Sequence, residues 1–250
     1  MEASALILAA GAGTRMKSSK PKVAHEIMAK PLVRWVVDAA HSAGINHIVS
    51  VVGHCRDQVE PLLEDTVTVV QEEQLGTAHA VLITKEAFAG KTGSLVVLTG
   101  DSPLVRASTI QSLVQAREES GAAVVVLTME AEDPTGYGRI VRDAAGDVQE
   151  IVEQKDCTPE QAAITECNSG FYCFDIESLF AAFRTDKDSG DLHRLRKPFS
   201  HGVPCGRRFR SRKPRRMSSM HRFPRGQGFR RFILPIKKRR PQCRTALGTS

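Results

Sequence analysis

No stretch of about eighteen apolar residues occurs anywhere in the 250-residue chain, so no membrane-spanning helix is expected. The start, Met1-Glu2-Ala3-Ser4, places no basic segment ahead of an apolar one; a secretory leader is not expected and the reading is a cytoplasmic protein. Six cysteines are present, at 55, 157, 167, 173, 205 and 243, but none forms a Cys-x-x-Cys pair or keeps metal-ligand spacing with the eight histidines. That pattern argues for reduced thiols and against both a disulfide scaffold and a zinc site. Repeats with a period of about 20 to 50 residues are missing, which excludes solenoids and propellers. Two familiar phosphate loops are missing as well. After Gly11 and Gly13 a dinucleotide fingerprint needs a third glycine where Met16 stands, and no Gly-Lys-Ser/Thr follows to make a Walker-type loop.

Acidic residues are almost absent from the last sixty positions. Residues 191–250 hold 19 Lys and Arg and one acid, Asp191, whereas residues 1–190 hold 16 basic and 27 acidic residues, a net of −11. The overall charge of +7 is therefore an average over two unlike halves. The break falls near Arg184 and divides the chain into a domain at 1–186 and a basic, Arg/Pro-rich tail at 187–250. The tail shows no sustained period of 2 or 3.6 and is expected to be disordered or an out-of-frame translation. Phe199, Phe209, Phe223, Phe229 and Phe232 could stack on bases there, but charge runs are usually solvated chain. Nucleic acid is not expected as a partner except through this tail.

What the first 186 residues do contain is a regular alternation. Apolar runs suited to strands end at Ala10 and recur at 48–52, 67–71, 95–99 and 122–129. Helical spacing fills 31–43, 56–63, 76–88 and 107–119. This predicts an α/β, Rossmann-like, mostly parallel sheet with helices on both faces. Short alternating segments at 139–142, 148–153 and 170–174 predict antiparallel additions beside it.

Ligands of open α/β sheets sit beyond the carboxyl ends of the strands, and four loops there carry chemistry. Leu8-Ala9-Ala10-Gly11-Ala12-Gly13-Thr14-Arg15, with Pro21-Lys22 behind it, combines small residues that let backbone N–H groups approach phosphate with two cations to neutralise it. In the loop from Gln71 to Ala80, Gln71 offers a two-sided amide for a base edge, and Gly76-Thr77 offers donors at a helix start. Asp101, after Thr99-Gly100, is a carboxylate at a strand end and suits Mg²⁺. The fourth group, Asp133–Arg139 with Glu153–Asp156 and Asn168-Ser169-Gly170, supplies small residues, a carboxylate for sugar hydroxyls and an amide. Taken singly, each is ordinary turn or capping chemistry.

Together the loops resemble the sugar-phosphate nucleotidyltransferase family, at the branch that uridylylates N-acetylglucosamine 1-phosphate. Leu-x-x-Gly-x-Gly-Thr-Arg-Met with Pro-Lys marks the family. Glu-Gln-Leu-Gly-Thr-Ala-His-Ala, Gly-Asp-Ser-Pro-Leu, Asp-Pro-Thr-Gly-Tyr-Gly-Arg-Ile, Ile-Val-Glu-Gln-Lys-Asp and Asn-Ser-Gly follow in its order over about residues 3 to 183. The resemblance implies the nucleotide-diphospho-sugar transferase fold, UTP and N-acetylglucosamine 1-phosphate as substrates and Mg²⁺ as cofactor. It implies that Leu8, Ala9, Ala10, Gly11 and Gly13 hold the nucleotide, with Thr99 and Gly100 beside them, and that Gln71, Gly76 and Thr77 surround uracil. Arg15 and Lys22 would act on the triphosphate and Asp101 on Mg²⁺, while Gly138, Glu153 and Asn168 would contact the sugar. Thr99 stands where this branch often has tyrosine. Beyond Phe183 neither of the family's closing segments, one of which carries its second metal ligand, is recognisable. The branch's acetyltransferase domain is missing too, so its trimer is not expected. Transfer to another sugar or alcohol phosphate, or an inactive truncated fragment, are the alternatives.

Overall fold

A computed structural model describes residues 2–11, 13, 16 and 18–183, together with the backbone of 230–236. The strands are β1 (Ala3–Leu8), β2 (Glu26–Ile27), β3 (Lys30–Pro31), β4 (His47–Val52), β5 (Val67–Val70), β6 (Ser94–Thr99), β7 (Val124–Glu130), β8 (Arg139–Arg142), β9 (Val148–Val152), β10 (Glu166–Asp175) and β11 (Arg230–Ile236). The helices are α1 (Leu32–Ser42), α2 (Arg56–Val59), α3 (Thr77–Leu82), α4 (Ala107–Ser120), α5 (Pro159–Ala162) and α6 (Ile176–Ala182).

One sheet runs in the order β11-β7-β10-β6-β1-β4-β5, with β8 and β9 branching from β10. β6, β1, β4 and β5 pair in parallel. β1 lies between β4 and β6, and its Ala5, Leu6 and Ile7 are fully buried, which is why it reads as an unbroken apolar run. Alternate side chains feed two cores. Ile7, Ile48, Val96, Leu98 and Leu127 pack under Val33, Val36 and Ala40 of α1 and Ile110 and Leu113 of α4. Leu6, Val49, Val51, Leu95 and Val97 pack under Ala80 and Val81 of α3, Phe88, and Phe180 of α6. Helices thus cover both faces, as the alternation predicts.

Three differences from the sequence reading have local causes. The antiparallel β10 lies between β6 and β7 instead of beside the parallel sheet. Its Cys173 enters one core and its Phe174 the other, so it buries both faces and takes a central place. The helix expected at 56–63 stops after α2, and 60–62 tightens to a 3-10 turn at Pro61, which has no N–H to continue the ladder. The helix expected at 76–88 splits into α3 and a 3-10 turn at 85–88. Thr84 closes it by donating both its backbone N–H (3.2 Å) and its hydroxyl (2.7 Å) to the Val81 carbonyl.

In the tail, where no strand was expected, the backbone of β11 lies antiparallel to β7 from Arg230 opposite Glu130 to Ile236 opposite Val124. The run Phe232-Ile233-Leu234-Pro235-Ile236 is the tail's one apolar stretch of strand length, and a proline is tolerated at a sheet edge. The other expectations for 187–250 lie outside the described residues. Among the described residues no helix is long and apolar enough to cross a membrane.

Candidate active site

β1 delivers its end into a crowded junction. Leu8 accepts the Gly100 N–H at 2.9 Å, and the Ala9 N–H donates to Val51 at 2.9 Å, so β6 and β4 hold the start of the loop from both sides. A Cβ on Gly100 would come within 3.2 Å of the Leu8 carbonyl and 3.3 Å of Val23, so only glycine passes here without displacement. Ala10 accepts the Gln74 side-chain N–H at 2.9 Å. Gly11 faces open space, and Gly13 has φ +60° with its Cα against Lys22, where a Cβ would lie 2.8 Å from the lysine Cβ. That close approach brings Lys22 to the loop. Arg15 lies outside the described residues.

Lys22 opens a 3-10 turn after Pro21, and its Nζ stands 2.6 Å from Asp101 Oδ2. The lysine side chain is 45% exposed and the aspartate 30%, so the pair is open to solvent instead of being sealed within the fold. Thr99, two residues earlier, shares a 2.7 Å hydroxyl bond with Ser102. The loops at 8–22 and 99–102 are therefore one electrostatic unit, although about eighty residues separate them.

The second cluster is built by β5 and α3. Gln71 is buried, its backbone N–H bonded to Val52 at 2.7 Å. Its side-chain amide nitrogen donates to the Gly76 carbonyl and to His79 Nδ1, each at 3.1 Å, which places the histidine proton on Nε2. Gly76 holds φ +99° at the start of α3, with Thr77 exposed beside it. A cleft of about 520 Å³ opens against this end, lined by Gly53, His54, Cys55, Arg56, Gln71 and Gln74 among others.

The third cluster comes from β8, β9 and β10. The Asn168 N–H donates to the Gly138 carbonyl at 2.8 Å, and a Cβ on Gly138 would lie 3.6 Å from Glu153 Oε1, so Gly138, Glu153 and Asn168 meet. Asn168-Ser169-Gly170, expected as a loop, is a bulge inside β10, where the pairing with β7 shifts between Asn168 and Tyr172. Asn168 accepts the Gly170 N–H at 3.0 Å and donates to the Tyr172 hydroxyl at 2.7 Å. Burial pushes the Tyr172 phenol up to about 12, so it stays neutral beside the amide. A Cβ on Gly170, at φ +81°, would come 3.8 Å from Thr99 Cγ2, which joins this cluster to the Lys22–Asp101 pair. Gln154, Arg139 and His79 fall within the loops named from the sequence but are given no role of their own there, and Tyr172 is not among them. Nothing local marks a buried arginine or the acceptor it will meet.

Residues 5–166 match the MobA-like NTP transferase domain. The chain belongs to that family. Within it, the chain is 51% identical to the bifunctional protein GlmU of Halalkalibacterium halodurans over 181 residues, 72% of this chain and 40% of that protein. It is 50% identical to GlmU of Trichlorobacter lovleyi over 178 residues and 49% identical to GlmU of Listeria monocytogenes over 179, in each case 39% of the relative. The chain thus spans about two-fifths of the length of these curated relatives. A crystal structure of UDP-glucose pyrophosphorylase complexed with UDP-glucose shares the fold, with a TM-score of 0.60 at 21% identity, over 74% of this chain and 80% of that one. In this chain the glycine loop, the Lys22–Asp101 pair and the clusters around Gln71 and Gly138 share one end of the sheet.

Among the described residues no group of three or more His, Cys, Asp or Glu is placed to hold a metal. Asp101, expected from the sequence to hold Mg²⁺, is paired instead with the Lys22 ammonium at 2.6 Å.

Proposed function

We propose that this chain transfers the uridylyl group of UTP to N-acetylglucosamine 1-phosphate, giving UDP-N-acetylglucosamine and pyrophosphate. The observation that carries the reading is the Lys22–Asp101 pair, which adjoins the glycine loop on one side and the Thr99–Gly170 contact to the Gly138–Glu153–Asn168 cluster on the other. Half-identity with GlmU over 72% of the chain supports the choice of substrates.

A phosphate oxygen of the sugar phosphate attacks the α-phosphorus of UTP in line. The bond to the β-phosphate oxygen breaks, and pyrophosphate leaves with that electron pair. The residues' work is positioning and charge stabilisation. The backbone of Leu8, Ala9, Ala10, Gly11 and Gly13 contacts the nucleotide, Gln71 with Gly76 and Thr77 takes the base, and Lys22 exchanges its carboxylate partner for phosphate oxygens. Arg15 is assigned to the same triphosphate. Glu153 and Asn168 bind the sugar hydroxyls and acetamido group against Gly138. Asp101 fits Mg²⁺, which takes one or two carboxylates together with phosphate oxygens and water, and the ion would neutralise charge on the phosphates. We place the reaction in the cytoplasm and in residues 1–186.

The test is pyrophosphate release by the chain as it stands, with a panel of nucleoside triphosphates and sugar 1-phosphates in the presence of Mg²⁺. Release that requires UTP and N-acetylglucosamine 1-phosphate is expected. No release, or equal use of glucose 1-phosphate, overturns the assignment.

A further inference from the structure

Arg139 is 1% exposed and makes no ion pair among the described residues, whereas Arg142, three residues further along the same strand, is neutralised by Glu166 at 2.7 Å. Burying an unpaired guanidinium is costly, and an apolar side chain of the same volume would fill the space at less cost. The observed bonds show what the arginine supplies instead. Its planar fork donates to the Tyr137 carbonyl, to Gln154 Oε1 at 2.6 Å and to the Ala162 carbonyl at 3.3 Å, joining three segments that are not otherwise continuous. Its Nε has no partner. Gln154 Oε1 accepts a second bond, from the Gly136 N–H at 3.2 Å.

The members of this clamp sit directly beside the sugar cluster in the chain. Gly138 is flanked by Tyr137 and Arg139, and Glu153 precedes Gln154. Arg139 also stands opposite Cys167 in β10 and opposite Val152 in β9, so it lies where the three strands that carry the cluster converge. From this we infer that Arg139 and Gln154 are positioning residues for the acceptor half of the site: they fix the spacing of Gly138 against Glu153 and leave the nucleotide half untouched. The inference rests on the uridylyltransferase reading for its substrate, but the clamp itself can be tested without turnover.

Gln154 is half-buried and its replacement spares the core, so it is the primary site of test. Gln154→Ala removes both accepted bonds; Gln154→Glu keeps both and adds a counter-charge for Arg139. Arg139→Lys keeps the charge but loses the fork. Steady-state pyrophosphate release gives the KM of each substrate, and amide hydrogen exchange reports on residues 133–138. For Gln154→Ala and Arg139→Lys we expect the KM for N-acetylglucosamine 1-phosphate to rise tenfold or more, with the KM for UTP within twofold of the parent. Exchange at Gly136 should be at least tenfold faster in Gln154→Ala. Gln154→Glu should return the acceptor KM to within threefold of the parent and restore slow exchange. Equal changes in both KM values, no change in either, or a Gln154→Glu protein as impaired as Gln154→Ala would overturn the inference. If the parent releases no pyrophosphate, the substrate reading fails; the exchange comparison between the two Gln154 variants then still decides whether the clamp exists.

Discussion

Replacing Lys22 by alanine separates a stabilising ion pair from the catalytic charge proposed above, because the two roles carry different magnitudes. At 2.6 Å, two unit charges in an effective dielectric near 20 attract by about 6 kcal/mol before any desolvation is counted. The lysine is 45% exposed and the aspartate 30%, so water screens the pair and hydrates whichever charge remains. Pairs exposed to that degree contribute about 1 kcal/mol or less. In a domain of this size that is a fall of about 2–4 °C in melting temperature. Turnover depends on the charge that builds on the phosphates, for which loss of one fixed donor costs a hundredfold or more, equivalent to about 2.7 kcal/mol of barrier. The assay is calorimetric melting together with pyrophosphate release on the same preparation. Lys20→Ala is the control: that lysine lies two residues away and pairs with Glu26 at 3.2 Å on the surface, so its loss leaves turnover within twofold. Lys22→Ala turnover within tenfold of the parent, or a loss of stability large enough to account for lost activity by unfolding, would refute the reasoning.

Three further outcomes are expected. Asp101→Asn removes the carboxylate proposed to hold the cation and should raise the Mg²⁺ concentration for half-maximal turnover at least tenfold; an unchanged Mg²⁺ titration would remove Asp101 from the metal role. Because the buried Tyr172 titrates at about 12 against an ordinary 10.0, the stability it contributes is fully present below pH 10 and lost as pH rises through 12. Tyr172→Phe should therefore flatten the stability profile between those values, and an unaltered alkaline limb would show that the phenol is hydrated. The two-residue turn joining β2 to β3 holds Met28 at φ +54° and Ala29 at φ +60°, a mirror-image hairpin turn that favours glycine, so Ala29→Gly should stabilise the fold by about 1 kcal/mol in denaturant titration, and a destabilised variant would contradict it.

The sequence shows the parallel half of the sheet more clearly than the antiparallel half, for a physical reason. β1, β4 and β6 are buried on both faces and appear as apolar runs, and α1 repeats Val33, Val36, Val37 and Ala40 at helical spacing, so hydrophobic pattern alone locates them. The same holds for the glycine loop and for Gln71 and Asp101, which close such runs. Pattern locates only the 170–174 half of β10 and not its place in the sheet. Its polar bulge interrupts the alternation, and its place between β6 and β7 depends on long-range pairing that has no local signature. The rule that ligands lie beyond the carboxyl ends of strands applies to β1, β4 and β6, but the Asn168 end of β10 is an amino-terminal end. Antiparallel insertion resolves this. With Tyr172 opposite Val97 and the chain running the other way, Asn168–Gly170 overlies Thr99 and so reaches the same rim as Asp101. One strand inserted in reverse therefore carries Asn168–Gly170 to the rim that holds Lys22 and Asp101, and the pairing of β10 with β6 sets the distance between them. A shift of that pairing by two residues would keep every side chain on its face and still move Asn168 about 7 Å along the rim, away from Lys22 and Asp101. The bulge at Ser169, anchored by its hydroxyl bond to the Leu127 carbonyl at 2.6 Å, is what opposes such a shift.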